Sequence, residues 1–262
     1  MPTTPPLRGQ TVFITGASSG LGRALAVALS RGGNNLVVTA RRRPLLDALA
    51  AEVEANGSRC LPIAYDATDA RASQAAVDAA LARFGRIDVA ILNAGGAPHP
   101  AAMGSAEQTV DAVIHTMRLN YDTLVHHLVP LIAVMRDAGG TIAWTGSPSG
   151  YFGLPKSGPY SAAKAAGRIL LDTCRIELAD TPLRVVALYP GFTYTEGLAV
   201  DEVPFPALII EKERAVREML WAIAHGRSHY MFPRRIRWPV QLARCLPEPV
   251  RRWVLARFAR QG

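Results

Sequence analysis

Short apolar, β-branched runs alternate along this chain with longer segments in which apolar residues recur every three or four positions. The runs are TVFIT (11–15), NLVVTA (35–40), CLPIAY (60–65), IDVAIL (87–92), TIAWT (141–145), RVVALY (184–189) and HYMF (229–232). Each has a length usual for a strand. Between them, LGRALAVALSRG (21–32), PLLDALAAEVEANG (44–57), ARASQAAVDAALARFG (70–85) and SAAKAAGRILLDTCRIELA (161–179) carry helical spacing, and most end near glycine. Alternating strands and helices predict a parallel sheet of about seven strands, covered by helices on both faces and joined by right-handed crossovers. No repeat or low-complexity tract interrupts the pattern. The expected organisation is one doubly wound α/β domain over residues 1–232, followed by a basic amphipathic extension over 233–262.

In a sheet of this kind ligands gather beyond the carboxyl ends of the strands, so the residues just after each run are the ones to read. The first exit is TGASSGLG (15–22), which opens a helix. Glycines there let the backbone approach a pyrophosphate, and the free N–H groups of a helix start favour its charge. The spacing is GxxxGxG and no P-loop lysine follows. The second run leads into ARRRPLLD (40–47), where a site for NAD would place a carboxylate against the ribose hydroxyls. No acid occurs before Asp47, and Arg41 takes the loop position. A guanidinium fork matches a phosphate, so Arg41 points to the 2′-phosphate of NADP, whereas Arg42 and Arg43 read as a solvated basic loop.

GPYSAAKAAG (158–167) sets Tyr160 and Lys164 four positions apart, on one face of an alanine-rich helix. Alone, the pair reads as a packed aromatic beside a solvated lysine. The company it keeps changes that reading. TGASSGLG, NAG (93–95), Asn120, Ser147, YSAAK (160–164) and PGFTYT (190–195) occur in an order and spacing that resemble the short-chain dehydrogenase/reductase family of the compact, roughly 250-residue type. The resemblance runs from about residue 10 to 232 and implies a Rossmann-like fold. It departs from the family pattern at Leu92-Asn93, where a double asparagine is usual, and at Gly146-Ser147, where a serine pair is usual.

The resemblance implies a catalytic set of Asn120, Ser147, Tyr160 and Lys164. A free phenol titrates too high to exchange protons well near neutrality. Lowering it by about 3 units takes roughly 4 kcal/mol, which one cation at ~4 Å supplies at an effective dielectric near 20. Lys164, aided by the positive nicotinamide in the oxidised complex, is expected to be that cation and to bond the nicotinamide ribose, with Ser147 holding the substrate oxygen and Asn120 placing a relay water. For the cofactor, NADP(H), the resemblance implies Gly16, Ser18, Ser19, Gly20, Leu21 and Gly22 at the pyrophosphate, and Asp66 with Ala67 at the adenine. Asn93, Ala94 and Gly95 would line the cofactor, and Pro190, Gly191, Thr193 and Thr195 would hold the carboxamide end. Asp88 reads as structural, and His115, His126 and His127 as unremarkable helix residues; no metal site is expected.

The expected pocket segments, GAPHPAAM (96–103), YFGLP (151–155) and LAVDEVPFPALII (198–210), are apolar, with Lys156 the one cation beside them. Ser149, Phe152 and Phe192, with Ser147, are the expected substrate contacts. The substrate class is therefore a hydrophobic ketone, aldehyde or alcohol. A non-catalytic NADP-binding regulator on the same fold is the rival, opposed by the intact four-residue set. A sugar-nucleotide epimerase would need a second domain.

Charge alters the picture only at the end of the chain. The net charge is +8, and residues 227–262 hold nine arginines against one acid, Glu248, so the rest is neutral. No nucleic-acid partner is implied for the body; a homo-oligomer is, from the resemblance. Three scattered cysteines, no apolar leader and no run long enough to span a bilayer point to a reduced, cytoplasmic setting. In the tail, Val250, Trp253, Val254 and Phe258 follow near-helical spacing with Arg251, Arg252 and Arg260 toward the other side. It reads either as a peripheral membrane contact or as a segment packed on its own domain or a neighbouring subunit.

Overall fold

The computed structural model describes residues 7–96, 101–194 and 209–258. Seven strands, β1 (Thr11–Thr15), β2 (Asn35–Ala40), β3 (Arg59–Ala64), β4 (Val89–Leu92), β5 (Gly140–Thr145), β6 (Leu183–Pro190) and β7 (His229–Phe232), form one sheet. Their order is β3-β2-β1-β4-β5-β6-β7, and every neighbouring pair is parallel. These are the seven expected runs, with ends moved by at most two residues.

Alternation along each strand explains why both faces are covered. Val12 and Ile14 of β1, Leu36 and Val38 of β2 and Val186 and Leu188 of β6 face one layer, built on α1 (Gly20–Ser30), α2 (Arg43–Ala55) and α7 (Lys212–Ala224). Phe13, Val37, Val185 and Ala187, the intervening residues, face the other. That layer comprises α3 (Ala70–Phe84), α4 (Val110–Met117), α5 (Thr123–Met135) and α6 (Gly158–Glu177). Between α4 and α5 the helix continues through a π-helical turn, Arg118–Asp122.

His127 of α5 was expected to be unremarkable. It is fully buried beneath β1, with Nδ1 2.7 Å from the Thr123 carbonyl and Nε2 2.6 Å from the Tyr65 hydroxyl. The carbonyl can only accept, so Nδ1 donates and Nε2 accepts from the phenol, which fixes a neutral ring. Burial lowers its pKa to about 4.

The tail forms α8 (Arg234–Cys245) and α9 (Glu248–Phe258). Ile236 and the buried Val240, one turn apart on α8, pack on the core of their own chain. A Cβ at Gly191 would fall on Ile236 Cδ1, so α8 lies directly against the loop that follows β6. In α9, Arg251, Val254 and Leu255 are half-buried while Val250 and Trp253 are exposed. The expected division of that helix, Val250 and Trp253 with Val254 against the arginines, is therefore corrected. α9 turns Arg251, Arg252 and Leu255 toward Tyr151–Pro155, with a cavity of about 470 Å³ between them. Among the described residues no helix is long and apolar enough to cross a membrane.

Candidate functional site

The turn between β1 and α1 reverses the chain in very little space. Gly16 and Gly20 adopt positive φ (68° and 55°), a region open to glycine and costly for other residues. A Cβ on Gly22 would fall on the Gly16 carbonyl, and one on Gly16 would stand 3.0 Å from Ala94 Cα. The turn is thus pressed against the exit of β4. Ser18, Ser19 and Leu21 ride on it, and Ser19 is the N-cap residue of α1 but makes no side-chain capping bond. The first amides of α1 are left pointing out of the sheet's carboxyl edge, which is a ready anion site.

Thr15, the last residue of β1, holds the next exit in place. Its hydroxyl accepts from the amides of Asn93 and Ala94, both at 2.9 Å. The Asn93 carboxamide oxygen accepts from Thr145 Oγ1 at 3.2 Å, and the Thr145 carbonyl accepts from Lys164 Nζ at 3.0 Å. A connected path therefore runs from the glycine turn across β4 and β5 to α6. Thr15 and Thr145 were not singled out from sequence; their position as the final residue of a strand was the available signal.

Gly95, with φ of 145°, closes the group: a Cβ there would lie 2.8 Å from Asn120 Oδ1 and 3.6 Å from Lys164 Nζ. Asn120, buried in the π-helical turn, donates to the carbonyls of Gly96 (2.9 Å) and Thr116 (3.1 Å) and accepts from the Gly96 amide (3.2 Å). Both of its amide hydrogens and one lone pair of its oxygen are engaged with protein.

Lys164 is 4% exposed, and burial lowers its pKa to about 8. Its Nζ lies 5.5 Å from the centre of the Tyr160 ring. Tyr160 is half-buried; desolvation pushes its phenol above the ordinary 10, and the adjacent Ser147 hydroxyl pulls it back in part. The expected lowering belongs to the complex with oxidised nicotinamide, and the chain by itself shows a different balance. The loss of water from the phenol dominates, and the ammonium is directed to the Thr145 carbonyl.

Ser147 follows β5, and its Oγ accepts from the Ser149 amide (3.2 Å) and hydroxyl (2.8 Å). Ser149 is 6% exposed. It was expected in the substrate pocket and instead lies beneath Ser147. Phe152 is half-buried and packs against the core, and Phe192 is 37% exposed beside Pro190 and Gly191. Thr193 is buried and donates to the Gly191 carbonyl at 3.2 Å. Thr195, residues 97–100 of the first expected pocket segment and residues 198–208 of the last lie outside the described residues.

On the other flank, Arg41 is exposed at the exit of β2 and helps hold the Asp66 carboxyl below its usual range, after the larger effect of bonds from Thr68. Ala67 follows, its carbonyl 3.4 Å from His126 Nδ1. Arg43 is exposed as expected but opens α2 in place of the expected loop, and it pairs with Asp47 one turn on. Arg42 does not: its guanidinium reaches back to the Ser18 hydroxyl at 3.0 Å and the Ser19 hydroxyl at 2.8 Å. It bridges the second strand's exit to the glycine turn, a placement that a run of three arginines does not reveal.

Comparisons with known proteins agree with this geometry. Residues 10–202 match the family model described as short chain dehydrogenase. An uncharacterized oxidoreductase of Myxococcus xanthus is 32% identical over 92% of this chain and 94% of its own. A sulfoacetaldehyde reductase of Chromohalobacter salexigens is 38% identical over 71% of this chain and 73% of its own. Among solved structures, a short-chain type dehydrogenase/reductase from Mycobacterium marinum superposes with a TM-score of 0.78 at 27% identity, covering 86% of this chain and 94% of that one.

Proposed function

This chain belongs to the short chain dehydrogenase family of oxidoreductases, and on that premise we propose that it is an NADP(H)-dependent reductase of hydrophobic ketones or aldehydes. The observation that carries the reading is the meeting of Asn120 and Lys164 at Gly95, with the Tyr160 ring 5.5 Å from the Lys164 ammonium and Ser147 beside the phenol. The glycine cradle and the open amides of α1 fit a pyrophosphate, and Thr193 with Gly191 would meet the carboxamide end. Thr195 keeps its expected part there as a proposal.

When bound, the nicotinamide supplies the hydride. The remaining work falls to this chain. Ser147, fixed by Ser149, would donate to the carbonyl oxygen as negative charge grows on it. Tyr160 would deliver the proton from its hydroxyl oxygen. A phenol raised by burial is fully protonated near neutrality, which suits reduction better than oxidation. Lys164, cationic below its pKa of about 8, would hold the ribose and replenish the proton. The amide hydrogens of the Asn120 carboxamide are occupied, so a relay water would rest on that residue's backbone carbonyl, where the π turn interrupts the regular helical ladder.

NADP is favoured over NAD because the exit of β2 bears Arg41 and Arg42 and no carboxylate, Asp47 being paired with Arg43. Arg42, bridged to Ser18 and Ser19, joins Arg41 as a candidate for the 2′-phosphate, and Asp66 with Ala67 for the adenine. The catalytic unit would be residues 1–232. Ile169 and Ile176, seven apart on α6, and Val129 on α5 are 57%, 78% and 60% exposed, a face that a second copy would cover. The reduction of sulfoacetaldehyde in one relative's name is consistent with a carbonyl substrate. NADPH oxidation followed across ketones and aldehydes of rising chain length tests the proposal. Turnover that rises with chain length supports it, and cofactor binding without turnover of any would favour the regulator.

A further inference from the structure

We propose that α8 and α9 form a docking face for an anionic lipid bilayer. The two helices are apolar on opposite sides. Ile236 and Val240 turn inward onto the domain, while Trp238 and Leu242, also one turn apart, are 77% and 65% exposed. On α9 the exposed pair is Val250 and Trp253, at 44% and 59%. The inward side accounts for the fold of the tail, and the outward side has no partner among the described residues.

Charge selects the partner. Arg234, Arg235, Arg237 and Arg257 are exposed on the same two helices and are not among the groups turned toward Tyr151–Pro155, and Glu248 is the sole acid from residue 227 to the end. A second copy of this chain would bring a second set of arginines against the first, with almost no carboxylate to neutralise them. A bilayer with anionic headgroups neutralises them and accepts indole rings at its interface. Arg257 lies 4.8 Å over the Trp253 ring, so the aromatic and the cation are presented together. At 12 and 11 residues the helices are too short to span a bilayer and suit lying along its surface.

The position adds a consequence that rests on the reductase reading. α9 roofs Tyr151–Pro155, the loop between Ser147 and Tyr160, and Arg244 lies 4.9 Å over Tyr151. A protein docked by this face holds that loop one helix away from the membrane, so an apolar carbonyl compound leaving the lipid would have a short path to the site.

The test is sedimentation of the full chain with phosphatidylcholine vesicles containing ~30% phosphatidylglycerol, against phosphatidylcholine alone, at low salt. The bound fraction should be at least ~10-fold higher on the anionic vesicles and fall steeply with added salt. The double variant Trp238→Ser/Trp253→Ser should lose most of that binding while keeping its thermal transition and its NADPH oxidation rate on a short soluble aldehyde. A second variant, Arg235→Glu/Arg237→Glu, should lose it through charge with both tryptophans intact. No binding to anionic vesicles, or equal binding to both kinds, overturns the proposal. So does a lowered oligomeric state of the tryptophan variant in sedimentation velocity, which would assign the face to a second copy. Vesicle binding needs no turnover, so its outcome is separate from that of the reductase assay.

Discussion

The cofactor end of the sheet and the C-terminal helices meet near the same loop, yet they are built from opposite materials. At the cofactor end the critical atoms are backbone: amides held by Thr15, carbonyls facing Asn120 and Lys164, and glycines where a single Cβ would strike a neighbour. Side chains there bond to one another and to the backbone, which leaves them little freedom to move. In the tail the distinguishing groups are long side chains, arginine and tryptophan, held outward on a helix whose other side is packed. Chemistry that depends on sub-ångström placement uses strand ends and glycine. Recognition of an extended surface uses side-chain character and tolerates looser placement.

The largest effect should separate the two regions outright. Tyr160→Phe removes the proton donor and keeps the ring, so turnover should fall by about 10³-fold, within the range for loss of a general acid. NADPH binding, followed by quenching of protein fluorescence, should stay within about twofold because the phenyl ring still packs. The reduction rate should also decline above pH about 8, as Lys164 loses its proton. Near-normal turnover in Tyr160→Phe would remove the proposed chemistry and, with it, the contrast between the two regions.

A second prediction tests the rigidity of the cofactor end. His127 is neutral when folded, with a pKa of about 4 against 6.5 in an unfolded chain. Its contribution to stability is complete above pH 6.5 and is lost as pH falls toward 4, because the unfolded chain then binds a proton that the folded one refuses. Between pH 7 and 5 that amounts to about 2 kcal/mol. Urea unfolding of His127→Gln should show a correspondingly flatter dependence over this interval than the parent protein, on top of a general loss of stability. Equal slopes would mean that His127 is not the group sensed.

The sequence discloses the strands and the catalytic spacing well because both depend on neighbours in the chain. Short apolar, β-branched runs located all seven strands, and the four-residue interval placed Tyr160 and Lys164 on one helix face. What it withheld depends on contacts across the sheet. Thr145 was one more residue in an apolar run, and only the parallel pairing of β4 with β5 brings its hydroxyl to Asn93. Ser149 could face the pocket or Ser147, since two residues of spacing in a loop do not fix a direction. The sidedness of α9 depended on what it packs against, and Tyr151–Pro155 lies about a hundred residues earlier. The tyrosine's loss of water was not legible either, because it is a property of the assembled site.

The smallest effect asks whether an arginine in the cofactor end reads a phosphate or merely adds charge, as those in the tail do. Arg42 alone of the three arginines after β2 reaches the glycine turn, bonding Ser18 and Ser19. A phosphate on the adenosine ribose would lie within the same bridge, and one charge-assisted contact is worth roughly 1.4 kcal/mol, or about tenfold in affinity. Arg42→Ala should therefore weaken NADPH by about tenfold and NADH by less than about twofold, measured by fluorescence titration of each cofactor. Arg41→Ala should act in the same direction and less strongly, because Arg41 makes no bond to the turn and acts through its charge on Asp66. Arg252→Ala, an exposed arginine of the tail, should change neither affinity. Equal losses for NADPH and NADH in Arg42→Ala would show that the residue only props the turn, and the preference for NADP would then have to rest on Arg41.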